Sequence, residues 1–342
     1  MSVLHLLGSG GDGGAETYFV DLVSALHRAG VAEACAIRRH AARTTALSQA
    51  GVVSRTFGFG GPLDLLTRPR IAAWGRRMDA KVMVAWMNRA GRHTPAGPWK
   101  RIGRLGGYYS LKYYRGFDHL VGNTRDIVSW VIAQGWPSDR VSYIPNFAGG
   151  ADEAAPAARE SLDTPEGVPL LLGMGRLHDA KAHDVSLKAL TQIPDAWLWI
   201  AGAGGLEDKL KAMAGALGVA DRVRFLGWRQ DAAALYRAAD VCVFPSRFEP
   251  LGNVVIQAWA NGLPVVAANS QGPGALIRDG QDGFLTPIDD ADALAERVKA
   301  VLADPMLRNR LIQNGHARVE AEFSQAAVVD EWRHLFSRLG EA

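Results

Sequence analysis

Phe244-Pro245-Ser246-Arg247-Phe248-Glu249-Pro250-Leu251-Gly252-Asn253-Val254-Val255-Ile256-Gln257-Ala258 reads as the end of a strand, a turn and the start of a helix. The apolar run 241–244 enters it and a helical pattern leaves it. Pro250 suits a first helical turn, where no N–H partner is needed. The free N–H groups near Leu251, Gly252 and Asn253 face whatever lies beyond the helix start. Glu249 brings a carboxylate to the same place. It can accept hydroxyl groups of a sugar or simply cap the helix. Gln257, two turns on, can reach a ribose.

Two glycine-rich stretches extend the pattern. Gly173-Met174-Gly175-Arg176-Leu177-His178-Asp179-Ala180-Lys181 follows the apolar run 170–173. A departing diphosphate gathers negative charge as its bond to a sugar breaks. Arg176 and Lys181 on one loop can clamp that charge, one with a planar fork and one as a point charge. Two solvated cations on a turn are the plain alternative. Near the start, Gly8-Ser9-Gly10-Gly11-Asp12-Gly13-Gly14-Ala15-Glu16 follows strand 3–7 and precedes a helix over 15–29. Phe19, Leu22, Val23 and Leu26 share one face of that helix. Gly11, Gly13 and Gly14 let backbone N–H groups approach an anion, or serve a flexible turn. Gly8-x-Gly10-x-x-Gly13 matches a dinucleotide fingerprint, which requires an acid about 20 residues on. The second strand, 33–37, ends instead in Arg38-Arg39-His40. That favours a different anion, or at most a 2′-phosphate.

The rest of the chain repeats the alternation of short apolar runs and helical segments, which predicts an α/β fold with parallel sheets. Runs at 82–86, 119–122 and 141–144 complete a first domain over 1–150. Residues 149–168 read as a linker. Runs at 170–173, 197–201, 223–226, 241–244 and 264–267 build a second domain over 151–322, with helices at 291–302 and 305–323. A last helix follows within 323–342. At 342 residues, two domains are expected. Residues 1–150 carry 19 Lys/Arg against 9 Asp/Glu, and the remainder 19 against 26. A basic half suits an anionic membrane face or an anionic acceptor as well as ordinary solvation. The tract Lys100, Arg101, Arg104, Tyr108, Tyr109, Lys112, Tyr113, Tyr114 and Arg115 has the composition for either, or for a half-buried element with a solvated edge. Cys35 and Cys242 read as buried small hydrophobes, which fits a reducing compartment. No run approaches the ~20 apolar residues of a membrane span. Asp290-x-Asp292 reads better as a helix cap than as a metal site, and no Cys/His cluster has metal spacing.

With these stretches in view, the chain resembles the retaining glycosyltransferases of family 4, the glycosyl transferases group 1. The matching residues are Gly175-Arg176-Leu177 with Lys181, Ala239-Asp240-Val241 through Ser246, and Glu249-x-x-Gly252 with Gln257. Ala260-x-Gly262-x-Pro264-Val265-Val266-Ala267, Gly280-x-x-Gly283-Phe284-Leu285 and the opening Gly13-Gly14-Ala15-Glu16 complete the set. The resemblance implies a GT-B fold, two Rossmann-like domains facing across a cleft, with the last helix packing back on the first. It implies Arg176 and Lys181 on the donor diphosphate, Glu249 on the donor sugar, and Leu251, Gly252 and Asn253 assisting. It implies Gln257 on the ribose, Trp228 and Arg229 at the nucleobase, and Gly11, Gly13 and Gly14 over the phosphates. No metal and no cofactor beyond the co-substrate is implied, and no nucleic-acid partner. The expected reaction transfers a sugar, with retention, from a UDP-sugar, or next a GDP-sugar, to a glycan or lipid-linked acceptor of the cell envelope, such as a lipopolysaccharide. A cytoplasmic enzyme, peripheral at the inner face of the membrane, is expected.

Three positions depart from the family pattern. Gln257 stands where the family usually has a second glutamate, and an amide accepts through one oxygen only. Ala182 follows Lys181 where a glycine is usual. Leu105-Gly106-Gly107-Tyr108 occupies the expected place of a family histidine, with His93 and His119 nearby in sequence. A nucleotide-sugar epimerase, a phosphorylase, or a non-catalytic nucleotide-sugar-binding module remain open on the same architecture.

Overall fold

The computed structural model describes residues 2–11, 13–61, 63–148 and 155–340. The chain forms two compact units, Met1–Asn146 with Gln325–Ala342, and Phe147–Ser324. In the first unit seven strands form one sheet: β1 (Ser2–Leu7), β2 (Ala32–Arg38), β3 (Val53–Phe57), β4 (Val82–Trp86), β5 (Lys100–Leu105), β6 (His119–Gly122) and β7 (Val141–Tyr143). Their order is β3-β2-β1-β4-β5-β6-β7, and every neighbouring pair is parallel. The central strands have no solvated face. All of β4, Val-Met-Val-Ala-Trp, is buried, as parallel sheets covered by helices require.

The second unit repeats the design with β8 (Leu170–Met174), β9 (Trp197–Ala201), β10 (Val223–Gly227), β11 (Val241–Phe244), β12 (Val265–Ala268) and β13 (Phe284–Thr286). The order is β10-β9-β8-β11-β12-β13, again parallel throughout. Two apolar clusters cover its faces. One includes Leu171, Leu198, Val243 and Val298, and the other Leu172, Trp199, Phe244 and Trp259. Each sheet reverses its strand order once, between β1 and β4 and between β8 and β11. Two strands there send their chains to opposite sides and leave a crevice at their carboxyl ends, where α/β sheets bind ligands.

Several segments differ from the sequence reading. β3 and β5 carry too many polar residues to read as strands. The tract from Lys100 onward, by contrast, takes one of its expected forms, a half-buried element with a solvated edge at Lys112 and Arg115. Its first six residues are β5, between β4 and β6, and Arg104 is 3 % exposed. That guanidinium bonds Asn146 Oδ1 and lies 4.8 Å from the Trp86 ring centroid and 5.3 Å from that of Tyr18. Tyr114 is also buried. The helix expected over 305–323 ends at Arg318, and a π-helical turn continues it to Phe323.

Residues 149–154 of the expected linker lie outside the described residues, as does Asp12 of the first glycine loop. From Ala155 onward the expected linker is docked rather than free. Arg159 donates to Ala238 O, Val168 O and Asp240 Oδ2 at 2.6–3.1 Å. The helix Gln325–Gly340 belongs to the first unit, where its Phe336 ring meets His5 edge-on at 6.3 Å.

Candidate active site

The crevice of the second unit is built from the loops leaving β8 and β11. The β8 loop is locked by backbone contact with the loop that leaves β9. Gly175 N donates to Ala201 O at 3.0 Å, Leu177 N to Ala203 O at 3.1 Å, and Leu206 N to Leu177 O at 3.2 Å. A Cβ on Gly202 would lie 2.0 Å from Gly175 O, so only glycine allows this approach. Buried His183 supports the loop from below, its Nε2 donating to Gly175 O at 3.3 Å. Burial lowers its pKa to about 4, so it is neutral near pH 7. On this platform Lys181 folds back over Gly175 and reaches Phe244 and Glu249.

Lys181 Nζ pairs with Glu249 Oε2. The other carboxylate oxygen, Oε1, accepts from Leu251 N and Gly252 N, each at 3.2 Å. Glu249 therefore caps the turn and neutralises the lysine at once. Gly252 holds φ 75° as the residue before the helix Asn253–Ala260. Gly272 closes the far side, donating to Glu249 O at 2.7 Å. Arg176, on the same loop as Lys181, is exposed, and its guanidinium has no hydrogen bond or ion pair among the described residues. The structure thus brings Arg176, Lys181, Glu249, Leu251, Gly252 and Asn253 to one end of one sheet.

The remaining expected residues are placed less tightly. Gln257 is exposed, and its Oε1 accepts from the hydroxyl of buried Tyr236 at 3.2 Å. Trp228 is 80 % exposed just after β10. Arg229 is held by both carboxylate oxygens of Asp231, at 2.8 and 2.6 Å. Gly11 and Gly13 lie in the β1 loop of the first unit and Gly14 opens the helix Gly14–Arg28; all three are exposed. His93 is 2 % exposed, its Nε2 donating to Gly60 O at 3.1 Å. His119 is buried in β6 against Ser142 Oγ at 2.8 Å. Asp290 caps the helix Ala291–Ala303 by accepting from Ala293 N at 2.8 Å. Among the described residues no three His, Cys, Asp or Glu side chains group as metal ligands would.

Sequence reasoning missed Arg247, which ties the β11 loop to its surroundings. It takes both oxygens of Asp184 at 2.9 and 2.7 Å and Asp289 Oδ1 at 2.5 Å. Its only signal was a charged residue inside an apolar turn. It also missed Arg43 and Arg89, which stand beside the first glycine loop.

Two Rossmann-like parallel sheets, with clustered charge at a strand-order reversal, define the GT-B class of fold. Residues 155–318 match the family described as Glycosyl transferases group 1. The chain is 36 % identical over 332 residues to the lipopolysaccharide core biosynthesis glycosyltransferase LpsE of Rhizobium meliloti, covering 96 % of this chain and 97 % of that protein. It is 34 % identical to LpsD of the same organism, covering 99 % and 98 %. Anabaena HepE, solved in complex with UDP, superposes with a TM-score of 0.87 over 99 % of this chain and 100 % of that one, at 22 % identity. The chain belongs to the glycosyl transferases group 1 family and is a glycosyltransferase of GT-B fold.

Proposed function

We propose that the chain transfers a sugar from a nucleoside-diphosphate sugar to a glycan or lipid-linked acceptor in lipopolysaccharide core assembly, with retention of anomeric configuration as in family 4. The observation that carries this reading is the junction of Lys181, Glu249 and the amides of Leu251 and Gly252, with exposed Arg176 on the same loop. A leaving diphosphate gains charge in the transition state. Arg176 and Lys181 would neutralise it, which removes the need for a metal. A carboxylate has about four lone-pair sites. Two backbone amides and Lys181 take three of those on Glu249, so one is left for a donor-sugar hydroxyl. When Lys181 turns to phosphate, a second is released. Gln257 would take one ribose hydroxyl in place of two, Trp228 and Arg229 would flank the base, and Gly11, Gly13 and Gly14 would meet the phosphates. The UDP bound by HepE favours a UDP-sugar as donor, with GDP-sugars next.

A cytoplasmic enzyme working at the inner face of a membrane fits a lipid-linked acceptor. No described helix is long and apolar enough to cross a membrane. Contact with the bilayer would come from the loop before the helix Thr67–Arg77, where Leu63, Leu65 and Leu66 are 93 %, 80 % and 68 % exposed. Arg68 and Arg70 follow, both exposed. Leucines beside arginines suit an anionic lipid surface.

Incubating the chain with a panel of labelled UDP- and GDP-sugars, with and without truncated lipopolysaccharide core, tests the reaction. Release of UDP that depends on the acceptor is expected. Conversion of donor alone would indicate an epimerase, and binding with no turnover a non-catalytic module; either contradicts the proposal.

A further inference from the structure

The first unit has a crevice of its own, at the reversal between β1 and β4. It opens as a pocket of about 660 Å³, within the size range of small-molecule sites. Arg38 and Arg39 enter it from the end of β2 and Arg89 from the segment after β4. No carboxylate lies among the described residues that line it. Arg38 and Arg39 have no hydrogen bond or ion pair from their guanidinium groups to the described residues, and Arg89 donates only to Phe59 O, at 3.3 Å. Three neighbouring cations with no carboxylate among the described lining residues repel one another, and an anion relieves that repulsion.

The pocket wall is shaped around these arginines. A Cβ on Gly8 would lie 2.9 Å from Arg89 Cγ, and one on Gly10 would lie 3.3 Å from Arg38 Cδ. The glycines thus make room for the arginine stems. Behind the loop, buried Arg43 donates to Ser9 O at 3.0 Å and Gly11 O at 2.8 Å. Those two carbonyl dipoles are thereby satisfied. Met87, on the rim, holds φ 61° without being glycine. Such a left-handed conformation is strained for a residue with a side chain and collects at functional sites. Asn88 Oδ1, beside it, is out of solvent and unbonded.

From this arrangement we infer that the first unit's pocket binds an oxyanion carried by the acceptor sugar. The assignment to the acceptor rests on the reading above, in which the cations that hold the donor's diphosphate, Arg176 and Lys181, belong to the second unit and the first unit offers that diphosphate backbone amides alone. The oxyanion is a phosphate or a carboxylate, since a guanidinium fork takes either.

Calorimetric titration of the full chain with glucose 6-phosphate, glucuronate, glucose and UDP tests this. Both or one of the anionic sugars should bind, identifying the oxyanion, and glucose should bind at least about tenfold more weakly. Arg38→Ala with Arg89→Ala should weaken the anionic sugars by about tenfold or more and leave UDP unchanged. Should that double variant fail to fold, exposed Arg39→Ala is read in its place, with a smaller loss in the same direction. Equal binding of glucose and the anions, no effect of the variants, or a parallel loss of UDP would each overturn the inference. A wild-type chain that binds the anionic sugars but not UDP would refute the donor reading and leave the pocket standing.

Discussion

Ala182 shows what a single departure from a family pattern means physically. It holds φ 53° and ψ 37°, left-handed values that a glycine adopts freely. The strain costs about 1–2 kcal/mol. Its methyl group is 1 % exposed and packs in the cluster of Leu177, Val185 and Leu187, which returns close to 0.8 kcal/mol. The backbone path is therefore kept, and with it the placement of Lys181. Motif spacing made Arg176, Lys181 and Glu249 legible, because a loop after a strand has one end to occupy. Their mutual contact was not legible, since it depends on which strand pairs with which. Glu249→Gln keeps the shape and the amide contacts through one oxygen but removes the charge beside Lys181. Transfer should fall by roughly 100-fold, as when one oriented electrostatic contact is lost, while UDP affinity holds within about threefold. Initial rates and calorimetry on the same preparation check this. A loss of UDP affinity as large as the loss of rate would show that Glu249 serves ground-state binding.

At the scale of elements, what could be read was whatever is buried on both sides. Strands such as β4 and β11 are unbroken apolar runs. β3, Val-Ser-Arg-Thr-Phe, lies at a sheet edge with no fully buried residue, and β5 buries an arginine by bonding it and covering it with aromatic rings. Neither has a periodicity to detect. The loop at 63–66 is another element invisible to pattern. Its leucines face outward because Asp64 faces inward, accepting from Gly60 N at 2.6 Å, Thr67 N at 3.0 Å and Thr67 Oγ1 at 2.7 Å. These bonds hold the Asp64 carboxyl below the usual carboxylate range. Under the proposed membrane contact, this loop and not the basic tract at 100–115 would meet the lipid. Replacing Leu63, Leu65 and Leu66 together by serine should lower co-flotation with phosphatidylglycerol vesicles by more than about tenfold, and added salt should weaken what remains. Unchanged flotation of that variant would remove the loop from the membrane reading.

Across the whole molecule, charge follows architecture. The first unit has 21 basic and 12 acidic residues, the second 17 and 23. Composition showed that asymmetry before any coordinates. It could not show that each sheet ends in a charged crevice at its own strand reversal, because order within a sheet is a tertiary fact. Two reactants and two such crevices are the basis for giving the donor's diphosphate to the cations of one crevice and the acceptor's oxyanion to those of the other. The claim on which this division rests is that Arg176 and Lys181 grip a diphosphate. Titrating UDP and uridine into the wild-type chain and into Arg176→Ala/Lys181→Ala measures that grip directly. Wild type should prefer UDP over uridine by about 100-fold or more, two charge-assisted contacts' worth, and the double variant should lose most of that preference. An undiminished preference for UDP in the folded double variant would contradict the account.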